Sequence, residues 1–201
     1  MAKRNAEVVD VVNTPRVVEV AGLQVRTTAE APLLTAGVTS PVNSQDTTQE
    51  KPSPGVSKCN HPRCLTCPFL KEGQAHYIFT STKEKQRIHD PLNCKSKNLI
   101  YLIECKKCRK QYIGETKRHL HQRFGEHRRS ILNFGTTSVS EHFKQADHSI
   151  NDVQLIPLEV ISSNLDSVRK VREARLIERA MTLEPHGINR RDELNKLHLS
   201  F

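Results

Sequence analysis

Six cysteines lie between residues 59 and 108, four of them in two CxxC pairs, Cys64-Leu65-Thr66-Cys67 and Cys105-Lys106-Lys107-Cys108. Residues 1–10 are not a basic segment followed by an apolar core, so no secretory leader is expected and a disulfide framework is disfavoured. Metal is the better reading. A CxxC turn aims two thiolates at one tetrahedral ion, at about 2.3 Å from each sulfur. Cys59, Cys64, Cys67 and Cys94 can close one all-cysteine site, with His61 as a substitute ligand. Cys105 and Cys108 need two more ligands, and His142 and His148 offer them, with His119 or His121 as open alternatives. The plain alternative for either group is free, buried thiols. Either site would hold a closed, structural Zn2+. With 36% hydrophobic residues and 4% aromatics, a small domain has a marginal core that such a staple would support.

Charge divides the chain. Residues 1–57 carry five Lys/Arg and six Asp/Glu, whereas residues 58–201 carry 26 and 16, so the whole formal +9 sits on the later part. A polyanion is the implied partner, nucleic acid first and an anionic membrane surface second. No apolar run approaches the roughly 18 residues that would cross a bilayer, and the expected partner is nucleic acid, with no membrane. The first 57 residues contain no cysteine, histidine or aromatic, and residues 27–55 are rich in Thr, Ser, Pro, Gln and Ala without a sustained period. They read as a disordered leader, in which residues 8–12 and 17–20 could at most form short strands. Residues 58–97 read as a Cys-rich zinc-knuckle linker, residues 98–195 as the main domain and residues 196–201 as a tail.

Within the main domain, residues 98–104 (NLIYLIE) and 111–114 (QYIG) read as strands joined by a six-residue hairpin connection. A helix is expected over 116–132, with Thr116 as N-cap and Leu120, Phe124, Ile131 and Leu132 near one face. A shorter helix follows over 138–145. A third strand spans 153–161, where Pro157 marks an edge or a bulge. A last helix, capped by Asn164 or Asp166, runs to about Leu183 before Pro185-His186-Gly187 stops it. The fold class is α+β, a three-stranded, mostly antiparallel sheet flanked by helices, with zinc-binding knuckles and the disordered leader.

Two of the three tyrosines fall on the two hairpin strands, in Leu99-Ile100-Tyr101 and Tyr112-Ile113-Gly114-Glu115-Thr116-Lys117. Arg123 and His127 follow at i and i+4, hence on one helix face. Further on stand Arg172-Glu173-Ala174-Arg175-Leu176-Ile177 and Gly187-Ile188-Asn189. This series resembles a GIY-YIG nuclease domain over roughly residues 58–195. The cysteine pair between the tyrosine strands, with its downstream histidine pair, resembles the endonuclease domain attached to Penelope-like retroelement reverse transcriptases. One position departs from the family pattern: Leu99 stands where the first motif has Gly, a backbone feature rather than a chemical group.

The resemblance implies a metal-dependent DNA endonuclease that nicks a target, with Glu173 holding Mg2+ or Mn2+. Arg123 offers the phosphate a permanent planar donor fork. Tyr112 is the candidate general base or proton carrier, and needs nearby cations because its reference pKa is about 10. Tyr101 and His127 would orient the water or Tyr112, and Asn189 would hold a phosphate or the active-site loop. Gly114 would let backbone approach closely at a strand end. Lys117, Arg118, Arg128 and Arg129 belong to a basic run over 106–129, with nine Lys/Arg against two Glu, read as a phosphate track. The partner is DNA, and in a parent element its RNA or a reverse transcriptase; the location implied is nuclear. The alternative is a non-catalytic, zinc-stapled nucleic-acid-binding module. Duller roles exist residue by residue, and Glu173 in particular could be no more than an i,i+4 partner of Arg169, with Glu178 a rival metal ligand.

Overall fold

The computed structural model describes residues 53–145 and 147–198, which belong to one compact unit. The elements in chain order are β1 (Gly55–Val56), β2 (His76–Ile78), β3 (Lys85–Arg87), β4 (Pro91–Leu92), β5 (Lys97–Cys105), β6 (Gln111–His119), α1 (Leu120–Leu132), α2 (Ser138–Phe143), β7 (Val153–Val160), α3 (Asp166–Ala180) and α4 (Arg191–His198). The central sheet has the order β6-β5-β7, antiparallel throughout, as expected. β5 is the central strand and both its faces are covered, by helices on one side and the β2–β3 hairpin on the other, which is why its run is buried from Leu99 to Cys105 instead of alternating. β7, like β6, is an edge strand. Its proline also sits at a bulge, since Ile100 pairs with Glu159 and Tyr101 with Pro157, leaving Leu158 as the extra residue.

Several boundaries differ from the expectation for identifiable reasons. β6 continues past Gly114 to His119 because Thr116 and His119 pair with Leu99 and Lys97 across a bulge at Asn98, whose φ is 53°. The helix therefore starts at Leu120. Thr116 caps nothing, and its hydroxyl closes a local turn with the backbone of Arg118. Neither Asn164 nor Asp166 caps α3. Its N-cap is Leu165, Asp166 accepts from Arg169 inside the first turn, and Met181 in the left-handed region ends the helix after Ala180. Residues 191–198, where no element is expected and whose last three fall in the expected tail, form α4, with Asp192 and Glu193 in its first turn.

Residues 58–97 are packed against the sheet, in place of the expected linker. Val56, Leu70, Tyr77, Phe79, Ile88 and Leu92 join the same buried core as β5, and Leu70 bridges Leu155 of β7. On the face of β5 opposite Tyr101, the buried Glu104 carboxylate accepts from Tyr77, Thr80 and Gln111, which ties the β2–β3 hairpin to the sheet. Because β1 pairs with β4, the expected leader of residues 1–57 overlaps the described fold at its last residues. The strand-like runs 8–12 and 17–20 lie outside the described residues. No helix among the described residues is long and apolar enough to cross a membrane.

Candidate active site and metal centres

Tyr101 pairs with Gly114, and Ile103 with Tyr112, so strand periodicity places Tyr101, Tyr112 and Gly114 on one face of the sheet. α1 packs on β6 and lays His127 between the two rings, with edge-on contacts at centroid distances of 5.8 Å to Tyr101 and 5.6 Å to Tyr112. The Tyr101 hydroxyl accepts from Nε of Arg123 at 3.0 Å and lies 2.7 Å from Nε2 of His127. The Tyr101 oxygen thus joins the guanidinium and the imidazole in one hydrogen-bonded chain. Burial, with Arg123 as a lesser cause, lowers the His127 pKa to about 3, which keeps the ring neutral across the physiological range.

Gly114 has a role other than the expected one. It is inside the strand, not at its end, and a Cβ there would lie 2.6 Å from the Tyr101 hydroxyl oxygen and 2.7 Å from a Tyr112 ring carbon. The missing side chain makes room for the two tyrosines. Arg123 is further held by Glu126, one turn on, at 3.0 Å, and Arg118 grips the other Glu126 oxygen at 2.7 Å. Glu126 went unread in the sequence although its i+3 spacing from Arg123 was legible.

α3 buries Arg169, Glu173, Ala174, Leu176, Ile177 and Ala180 on the stripe that packs on β5 and β6. Glu173 is 7% exposed, whereas its rival Glu178 faces solvent. Arg169 pairs with Glu115, Asn98 and Asp166, so Glu173 is not its ion-pair mate. Burial pushes the Glu173 carboxyl up to about 8, with Glu115 adding to the rise and Arg123 opposing it. Tyr112 is likewise pushed well above 10, chiefly by burial. A cleft beside Tyr112 is lined by Tyr112, Arg123, Glu126, His127 and, from α4, Glu193.

Asn189 does not face the cleft. It is 1% exposed, accepts from the Ile113 backbone N–H at 2.9 Å and the Thr182 hydroxyl at 2.7 Å, and donates to the Ile113 carbonyl at 2.8 Å. These three bonds tie the segment after α3 to the strand between Tyr112 and Gly114, which is the loop-holding role. Asn189→Ala leaves buried backbone groups unpaired and should lower stability by about 2–4 kcal/mol in denaturant titration. An unchanged midpoint would contradict this role.

Lys117 and Arg118 sit at the far end of β6, each with a carboxylate partner, Asp166 at 3.4 Å and Glu126 at 2.7 Å. Arg128 and Arg129 turn to the other flank of α1, away from Tyr112 and Arg123.

The thiols and imidazoles gather into two groups, Cys59, Cys64, Cys67 and Cys94, and Cys105, Cys108, His142 and His148, with ligand atoms within 4.8 Å of one another in each. All six cysteines are free. In the first group the Sγ–Sγ separations include 3.5, 3.6 and 3.7 Å. A tetrahedral zinc with bonds of about 2.3 Å has sulfur–sulfur edges of about 3.8 Å. In the second, Cys108 Sγ lies 3.4 Å from His142 Nε2, against about 3.5 Å for a sulfur–nitrogen edge. Both donor sets fit Zn2+. His61 remains outside the first group, while His119 and His121 bind the Lys95 and Cys94 carbonyls.

Residues 97–183 match the family model described as GIY-YIG catalytic domain. No curated protein and no solved structure matches the chain.

Proposed function

We propose, on the premise that this chain carries a GIY-YIG catalytic domain and is a nuclease, a hydrolase of phosphodiester bonds, that it is a divalent-metal-dependent DNA endonuclease stapled by two structural zinc ions. The carrying observation is that Tyr101, Tyr112, Arg123 and His127 form one contact group, with Tyr112, Arg123 and His127 lining a cleft and the buried Glu173 within electrostatic reach of Tyr101, Tyr112 and Arg123. Glu173 fits a hard cation. It is a buried carboxylate without an ion-pair partner among the described residues, while its neighbours Glu115 and Glu126 are already held by arginines. One protein oxygen, with water and phosphate oxygens for the rest, suits Mg2+, which keeps much of its hydration. Mg2+ held by Glu173 would neutralise charge building on the non-bridging phosphate oxygens.

The side chains supply the remainder. Arg123, fixed by Tyr101 and Glu126, presents a guanidinium edge to the scissile phosphate. Tyr112 is a neutral phenol in this state, so it receives the attacking water's proton only as its own proton moves on or as cations lower its pKa. The Arg123–Tyr101–His127 chain holds the Tyr112 ring and the arginine in register. Water adds to phosphorus, the P–O bond to the leaving sugar breaks, and a proton returns to that oxygen. The finer assignment is a retroelement-type target-nicking domain, supported by the Cys2His2 group beside the tyrosine strands; its place would then be the nucleus.

The test is Arg123→Ala in a single-turnover nicking assay. Loss of one preorganised donor should lower the rate roughly 10²–10³-fold, with folding and zinc content unchanged. A folded variant that cleaves at the wild-type rate would refute the assignment.

A further inference from the structure

A groove of about 510 Å3 runs between α1 and the 59–67 knuckle loop. α1 divides its side chains between two concavities. Arg123, Glu126, His127 and Ser130 line the catalytic cleft, whereas Gln122, Gly125, Arg128 and Arg129 line the groove. The far rim comes from the knuckle, with Arg63 beside Cys64 and Lys95 beside Cys94. None of the lining residues is acidic. Arg63, Lys95, Arg128 and Arg129 have no carboxylate partner among the described residues, in contrast to Lys117, Arg118 and Arg123, which all do. With Zn2+ held by four thiolates the first cluster carries a formal −2, which the four cations outweigh, so the concavity stays net positive and favours a polyanion.

Gly125 adds an independent observation. It lies in the interior of α1, where glycine weakens a helix. Packing does not require it, since a Cβ there would meet nothing nearer than Nη1 of Arg129 at 3.8 Å. Its missing side chain keeps the floor open beneath that guanidinium.

We propose that this groove binds backbone phosphates of the DNA duplex flanking the cleavage position, through Arg63, Lys95, Arg128 and Arg129. The first cysteine cluster then does more than staple the fold: it fixes two of the four phosphate ligands, Arg63 and Lys95, on the far side of α1. The assignment rests on the nuclease reading and deepens it. These contacts carry no base information, so they add affinity equally for all sequences.

The test measures duplex binding by the full, zinc-loaded chain without Mg2+, so that it does not depend on cleavage. The Arg63→Gln/Lys95→Gln double variant should bind more weakly on any sequence, with the slope of log affinity against log salt shallower by about 2. Gly125→Glu, which leaves the knuckle untouched and favours the helix, should weaken binding as well. Zinc content and melting temperature serve as the folding check. Wild-type affinity and salt slope in both folded variants would overturn the groove, as would weaker binding at an unchanged slope. Wild-type protein that binds no duplex would instead strike at the nuclease reading, and the groove with it.

Discussion

Glu173→Gln should abolish Mg2+-dependent cleavage, by 10³-fold or more, while the protein becomes more stable. The two effects share one cause. Burial holds the Glu173 carboxyl at about 8, far above its ordinary 4.5, so the folded, metal-free protein binds this proton more tightly than the unfolded chain. The stability this group contributes is complete below about pH 4.5 and declines through pH 8, at about 1.4 kcal/mol per pH unit. Glutamine is neutral and of the same shape, so the decline disappears. At pH 8 the variant should gain a few kcal/mol over metal-free wild type, on the order of 2–4. Mg2+ requires the ionised form, so at subsaturating metal the wild-type rate should climb close to tenfold per pH unit from 6 to 7 and level off above about 8. A variant that is both inactive and less stable would show that Glu173 is a packing residue, and a flat pH profile would remove it from metal binding.

Removing zinc should unfold the domain. A structural zinc contributes roughly 10–16 kcal/mol in small zinc-binding peptides, comparable with the 5–15 kcal/mol total stability of an ordinary domain. The first cluster joins the 59–67 loop to Cys94, whose carbonyl accepts from the His121 backbone N–H at the start of α1. The second joins the β5–β6 turn to α2 and the segment after it. The purified chain should contain two zinc ions, and a strong chelator should collapse near-UV dichroism and cleavage together, with recovery on adding Zn2+. A chelated protein that stays folded would reduce both clusters to free thiols and imidazoles.

The parts of this site legible in the sequence are those fixed by local periodicity. Tyr101 and Tyr112 share a face because side chains alternate along a strand, and Arg123 and His127 share one through the i,i+4 rule. Each CxxC pair is legible as a local unit, whereas the addition of Cys94 to one pair and of His142 and His148 to the other rests on counting candidate ligands. Contacts across long sequence separations were not readable. Asn189 reads as holding either a phosphate or the active-site loop, and the choice depends on Ile113, 76 residues earlier in the chain, whose backbone N–H and carbonyl both bond its amide. Arg169 reads as a partner for Glu173 four residues on, yet the fold brings it Glu115 from 54 residues away. The start of α1 was misread for a related reason: residues 116–119 look polar and helix-opening, and pairing with β5 overrides that local preference. Arg63 and Lys95 gave no signal beyond their charge, since the groove exists only once the knuckle folds against α1.

The most direct measurement is nicking of supercoiled plasmid by the zinc-loaded chain with and without added Mg2+, beside Glu173→Gln. Nicking that requires Mg2+ and vanishes in a folded, DNA-binding Glu173→Gln protein is the predicted result. Wild-type protein that is folded, zinc-bound and DNA-bound yet leaves the plasmid intact, or a variant that nicks as well as wild type, would contradict the account.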